Sequence, residues 1–461
     1  MERKNAWKKY DEKALEQLNA IGKKYRAYLD GGKTERECVK ETVELAKAKG
    51  YTDLNAAIES GKRLQPGDRL YSVCMDKAVM LFIMGKQPLE KGINIVGSHI
   101  DSPRMDIKQN PFYEDTDIVY ADTHYYGGIK KYQWVARPLA IHGVVAKKDG
   151  TVLNIVIGED DDDPVLCISD LLIHLSADQM SKKASEVIGG EDLDIIMGGC
   201  PLEGEEKDAV KARMLKLMQE KYGIEESDML SAELEVVPAG KCRDLGLDRS
   251  MILGYGHDDR VCAYASIDAI LSIDEIPEYT CCCLLADKEE IGSVGATGMR
   301  ARYFENAMAE MINLTYPAYN ELTLRRALKN CRMLSCDVSA GFDPLFAGAF
   351  EKKNAALLGY GVCYNKFTGS RGKSGSNDAN AEFIGKLRGI MDNNDITWQT
   401  AELGKVDVGG GGTIAYICAL YGMEVIDSGV PVLSMHAPAE IISKADLYEA
   451  VKAYRAFMLE A

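Results

Sequence analysis

Four apolar runs in this chain end the same way: "IVGSHID" (95–101), "CLLADKEE" (283–290), "MLSCD" (333–337) and "PVLSMH" (431–436) each pass from buried-type residues into histidine or acid. A short apolar run that stops at polar residues is the signature of a buried strand reaching a loop. In an open α/β sheet the carboxyl ends of the strands line the ligand crevice. The pattern therefore predicts that two histidines and several acids, far apart in sequence, are delivered to one place.

The rest of the chain fits that class. Helix-patterned stretches alternate with apolar runs from about residue 246 onward: "VCAYASIDAIL" reads as helix and "YTCCCLLAD" as strand, the alternation of an α/β fold. Residues 1–50 read as two amphipathic helices separated by "DGGKTERE". From about Met105 the texture changes to short β-rich runs, Gly and Asp turns and an "AKKDGTV" hairpin signal, followed by the helical stretch "EEKDAVKARMLKLMQEKYGI". At 461 residues the chain exceeds one ordinary core. We expect an α/β catalytic domain split into 1–105 and 246–461 by an inserted β-rich domain, 106–245.

Several function classes are disfavoured. A formal charge of −16 with no basic stretch argues against nucleic acid or an anionic membrane as partner. No apolar run approaches the ~18 residues of a membrane span, and the polar N-terminus carries no signal-peptide core. Thirteen scattered cysteines without a CxxC pair suggest reduced thiols in a cytoplasmic protein, not a disulfide framework or thiolate zinc site. "GEDDDDP" reads as a solvated turn, because a calcium loop needs spaced ligands. "DVGGGGT" lacks both the GK[ST] ending and the GxGxxG spacing of nucleotide loops.

The candidate ligands gain meaning as a set. If 98–101 is extended, His99 and Asp101 point to one side, so that Asp101 can accept the second ring N–H of His99. Asp258 and Asp259, in "GYGHDDRV", stand at a helix entrance where Asp also serves as a simple cap. Glu289 and Glu290 follow an apolar strand, Asp337 ends another, and His436 ends a fourth run. Carboxylates gathered there need a cation, since two unit charges ~4 Å apart repel by roughly 4 kcal/mol at an effective dielectric of 20. Imidazole plus carboxylate without thiolate suits zinc, cobalt or manganese. Five ligands exceed one tetrahedral site but suit two metals sharing a bridging carboxylate.

In order along the chain, "GSHIDSPR", "HDDR", "DKEEIGS", "SCD" and "SMH" resemble the aspartyl aminopeptidase and vacuolar aminopeptidase I family of dinuclear zinc aminopeptidases. The resemblance implies a phosphorylase/hydrolase-like zinc-exopeptidase domain with the β-rich insertion. It implies His99 and Asp337 on one metal, Glu290 and His436 on the other, and Asp258 bridging the two. Glu289 would be the general base for an attacking water, and Asp101 the partner of His99. Two divalent ions per subunit, zinc first and cobalt or manganese as alternatives, are expected. His174 resembles a histidine that reaches a neighbouring subunit's site, and a tetrahedral homododecamer enclosing the active sites is implied. Substrates would be peptides, with Asp or Glu preferred at the N-terminus or, as in the vacuolar branch, neutral or apolar residues. Lys366, with Arg371 and Lys373, is the candidate cation for an acidic side chain. His124, His142 and His257 match no ligand position. Rival readings are a dinuclear-metal deacylase of N-acyl amino acids and a non-catalytic oligomeric scaffold. The intact ligand positions and Glu289 weigh against the scaffold.

Overall fold

The computed structural model describes residues 3–461. The described residues divide into two compact units, one built from residues 3–101, 242–435 and 439–461, the other from 102–241 with 436–438.

The first unit is α/β. Its main sheet is formed by β1 (Thr52–Asp53), β2 (Arg69–Cys74), β3 (Ala78–Ile83), β4 (Asn94–His99), β5 (Cys281–Ala286), β6 (Arg332–Cys336), β7 (Val362–Asn365), β8 (Trp398–Thr400) and β9 (Glu424–Gly429). Their spatial order is β1-β2-β3-β5-β4-β6-β9-β7-β8. The central strands β5, β4, β6 and β9 run parallel, so their carboxyl ends share one edge of the sheet. Register fixes that edge closely: Ala286 lies opposite His99, and Ser335 opposite Gly97.

Burial on both faces explains the sequence of β5. Cys281, Cys283 and Leu285 join the core beneath α1 (Glu12–Gly31), α2 (Glu35–Ala48), α3 (His257–Leu271) and α4 (Lys444–Glu460). Cys282, Leu284 and Ala286 face the opposite core, with Met308, Met311 and Ile312. Side chains alternate across a strand, so a central strand covered on both faces reads as one continuous apolar run. All thirteen cysteines are free thiols. The two N-terminal helices read from the sequence are present. Asp11 caps the first through Ala14 N–H, and Thr34 forms a capping box with Glu37 on the second.

A five-stranded sheet in the same unit corrects one expectation. The run "PVLSMH" was expected to end a strand of the main sheet. Instead Pro431–Leu433 pairs with Glu440–Ser443 and Ser339–Ala340, and the strand stops three residues before His436. An apolar run announces a strand but carries no information on which sheet receives it.

The second unit is β-rich. A six-stranded antiparallel sheet has the order Val152–Ile157, Leu139–Ala146, Ala232–Pro238, Arg104–Asp115, Ile118–Tyr126, Ile195–Gly198. The "AKKDGTV" turn joins its first two strands as a hairpin, closed by Lys147 N–H to Thr151 O at 2.8 Å. The helical stretch forms Ala209–Tyr222. Among the described residues, no helix is long and apolar enough to cross a membrane.

Candidate active site

The carboxyl edge of β4, β5 and β6 gathers the acids and the first histidine. His99 is the last residue of β4 and is buried, while Asp337 follows β6 directly. Glu289 and Glu290 form a short 3-10 turn three residues beyond β5. Asp258 lies at the start of α3, where the backbone of Asp258 and Asp259 is not yet helical and the peptide between them is cis.

Their atoms converge. Ligand atoms of His99, Glu289 and Asp337 all lie within 4.8 Å of one another, and so do those of His99, Asp258 and Glu290. The Nε2 atom of His99 is 3.3 Å from Asp258 Oδ1 and 3.9 Å from Asp337 Oδ1. On the far side of the ring, Nδ1 is 3.0 Å from the carbonyl oxygen of Asp101 and 3.3 Å from its Oδ1. That contact fixes the ring so that Nε2 faces the acids. Asp101 does more than the sequence suggested. Its Oδ1 accepts the backbone N–H of Glu289, and its Oδ2 that of Glu290, each at 3.1 Å.

Electrostatics marks the cluster as a cation site. Burial disfavours charge on the His99 ring, but hydrogen bonds to Asp101 and Asp258, with the nearby charge of Asp337, outweigh it and hold its pKa well above the usual 6.5. Burial, reinforced by the charges of Glu289 and Asp258, pushes the Asp337 carboxyl well above 3.8. Both shifts favour the less negative form of the cluster, the same direction in which a divalent ion would act. One imidazole and four carboxylates, with no thiolate, form a donor set that fits zinc.

Two acids outside the expected ligand set, of which only Glu440 is new to the sequence-based candidates, support the cluster. Glu440 Oε2 accepts the backbone N–H of Asp258 at 3.0 Å, and Asp259 Oδ2 accepts that of His99 at 3.4 Å. Glu440 opens an apolar strand whose register sets it opposite Gly254, just before Asp258. A lone acid heading a buried strand was the available signal.

The other candidates are members of neither donor group. His436 takes a left-handed backbone (φ 65°), and its Nδ1 lies 2.9 Å from the Gly128 carbonyl. His174 is exposed on a single turn, Ile173–Leu175, of the β-rich unit. Lys366 is exposed and lines a small pocket with Tyr364, Arg388, Trp398 and Thr400. His257 is buried and shares a 2.6 Å hydrogen bond with the Tyr25 hydroxyl; burial first, then Arg260, pulls its pKa down to about 3. It is a structural histidine. His142 is also buried, against Glu159 at 3.1 Å. The glycine loop approaches other backbone closely, since a Cβ on Gly410 would meet Gly369 O at 2.3 Å. Its end is tied down by Thr413 Oγ1, which donates to Asp427 at 2.5 Å.

A mixed α/β sheet whose central strands are parallel, with a buried histidine and several acids at their carboxyl edge, suits a metal-dependent hydrolase. The sequence matches the family described as aminopeptidase I zinc metalloprotease (M18) over residues 28–458. It is 56% identical to a probable M18 family aminopeptidase 1 of Clostridium acetobutylicum, covering 99% of this chain and 98% of that one. The crystal structure of an M18-family aminopeptidase from Thermotoga maritima superposes with a TM-score of 0.94 at 44% identity, over 100% of both chains. The S. cerevisiae mApe1 dodecamer shares the fold, with a TM-score of 0.77 at 20% identity over 96% of this chain and 97% of that one. The chain belongs to the M18 family and is a zinc metallo-aminopeptidase.

Proposed function

We propose that this aminopeptidase works with two divalent ions per subunit, zinc by preference and cobalt or manganese as substitutes, and that Glu289 is its general base. The reading is carried by the two overlapping donor groups that share His99. One would be held by His99 and Asp337, the other by Glu290 and His436, with Asp258 between them. The Gly128 carbonyl, 2.9 Å from Nδ1, would fix the ring orientation of His436 as a ligand.

When bound, zinc polarises a carbonyl oxygen and lowers the pKa of a water toward ~7. Within that frame Glu289 takes the proton of the attacking water and returns it to the departing amine. Asp101 fixes both the His99 ring and the amides of the two glutamates, so that the base and the ligand face different ways from adjacent positions. The free N-terminus of the peptide is recognised at this acidic edge, which restricts cleavage to the first residue.

The substrates are peptides, and Asp or Glu at the N-terminus is the favoured case, with neutral or apolar residues as the alternative. Lys366 and a partner subunit's counterpart of His174 are the proposed substrate contacts. The stretch 106–245 is proposed as the oligomerisation domain of a tetrahedral homododecamer, a reading supported by the fold shared with the yeast dodecamer. A cytoplasmic location agrees with thirteen unpaired thiols.

The deciding experiment is Glu289→Gln, with zinc measured by elemental analysis and turnover measured on Asp-, Glu-, Leu- and Lys-anilides. We expect zinc to be retained and kcat to fall by about 10²–10⁴. A variant that turns over normally with zinc bound would remove the base assignment. The anilide ranking decides the side-chain preference.

A further inference from the structure

Asp287 belongs to neither donor group, yet it is fully buried where β5 ends. Its Oδ2 accepts hydrogen bonds from Thr297 Oγ1 at 2.5 Å and from Lys288 Nζ at 2.7 Å. The backbones meet as well, with Asp287 N–H directed to Thr297 O at 3.4 Å. Between these two residues the chain makes the excursion that carries Glu289 and Glu290.

That excursion does not follow an ordinary turn. Lys288 (φ 65°) and Ser293 (φ 58°) are both left-handed, a region that side-chain-bearing residues adopt only when their surroundings impose it. Ser293 N–H closes on Lys288 O at 2.6 Å, and Gly292 N–H on Glu289 O at 2.9 Å. Gly298 allows the loop to fold onto itself, because a Cβ there would meet Ser293 O at 2.5 Å. Asp101 pins the turn from the β4 side through the amides of Glu289 and Glu290. Its other side is tied through Asp287, Lys288 and Thr297 and their backbone contacts, with Cys74 Sγ directed to Ala296 O at 3.6 Å.

A buried carboxylate is a poor device for stability alone. Desolvation of such charged pairs offsets most of what their attraction gains, and well-packed apolar groups often do as well. What hydrogen bonds from two directions onto one oxygen do supply is a fixed geometry. We infer that Asp287 and Thr297 form a staple across the base of the loop that positions Glu289 for proton transfer. They are positioning residues, and the inference rests on Glu289 being the base.

The test uses zinc-loaded full-length enzyme and the best anilide. Thr297→Val removes the hydroxyl and keeps the volume. It is expected to lower kcat by about 10–100-fold, with KM within twofold and zinc content unchanged, because a displacement near 1 Å at a catalytic group costs on that order. Thr297→Ser should restore most of the rate. In a Glu289→Gln background, Thr297→Val should cost about twofold or less, since residues acting through one group are not additive. Lys288→Met, at a partly exposed position, removes the other donor and gives a second reading should the valine variant not fold; a loss of about 3–10-fold in kcat is expected. Wild-type kcat in both Thr297→Val and Lys288→Met, or an undiminished loss in the Glu289→Gln background, overturns the staple and leaves the base intact. Normal turnover by Glu289→Gln overturns both.

Discussion

Asp101 holds Glu289 by the backbone, Oδ1 accepting its N–H at 3.1 Å, while the other oxygen takes the N–H of Glu290 at the same distance. The same side chain reaches the His99 ring at 3.3 Å. One carboxylate therefore sets the direction of the His99 ring and of the turn carrying both glutamates.

From this follows a prediction for Asp101→Asn. An amide offers one oxygen and one N–H₂ group, so it meets one of the two backbone donors with another donor. Zinc affinity should fall about 10–100-fold, the range for losing the partner of a ligand histidine. The loss in kcat should be larger, because the base is displaced along with the ligand. Competition titration with a chromogenic chelator, beside kcat at saturating zinc, separates the two effects. Wild-type affinity and rate would contradict the double role.

Zinc binding should release protons. In the metal-free protein the pKa values of His99 and Asp337 are raised well above 6.5 and 3.8 respectively, so both hold their protons to higher pH than the free side chains do. Zinc takes the deprotonated groups, and each proton released steepens the rise of affinity with pH by up to about tenfold per unit. The sign for folding is opposite. Groups whose pKa is higher in the folded than in the unfolded protein stabilise it at low pH and lose that contribution as pH rises through the folded value. Chelator-treated protein should therefore melt lower at pH 8 than at pH 6, and zinc should remove the difference. Calorimetry in buffers of different ionisation enthalpy counts the protons, and a count of zero would refute the prediction.

The sequence carried much of this site, and its omissions have physical causes. His99, Asp337 and the glutamate pair were visible because each ends an apolar run, and β4, β5 and β6 do align those ends. The run before His436 looked equivalent, but its strand entered the smaller sheet, a choice governed by pairing with Glu440–Ser443 rather than by apolarity. Glu440 offered only the weak signal of a lone acid heading an apolar strand: its partner Asp258 is 182 residues away, and one acid among apolar residues has no periodicity. Asp287 was hidden in a run of charges. Only the structure separates the buried member, tied to Thr297, from the half-buried glutamates beside it.

His257 should govern behaviour in acid. It is buried and neutral, with a pKa of about 3 against 6.5 when exposed, so below pH 6.5 the unfolded chain binds a proton that the folded one does not. Stability should decline from about pH 6.5 toward pH 3 for this reason. Tyr25→Phe removes the hydroxyl bonded to its Nδ1 and leaves a buried polar atom without that partner, at a cost of about 1–3 kcal/mol. Urea denaturation at pH 7 measures it. An unchanged midpoint would show the hydrogen bond to be dispensable.

The last prediction concerns assembly. In the β-rich unit Leu171, Leu172, Ile173 and Leu175 are all exposed, Ile173 to 70% and Leu175 to 68%, around His174. Monomeric proteins rarely present so many large apolar side chains within five residues, and such a patch marks a contact surface. If the 106–245 stretch builds the oligomer, Ile173→Asp should shift sedimentation from a dodecamer toward smaller species by placing a charge in a desolvated contact. Because His174 is proposed to reach a neighbour's substrate, turnover should fall together with assembly while zinc content per chain is kept. His174→Ala is the complementary variant: assembly intact, and KM or kcat impaired. Full activity of Ile173→Asp as a monomer would show that one subunit suffices for catalysis and would dismiss the neighbour's histidine.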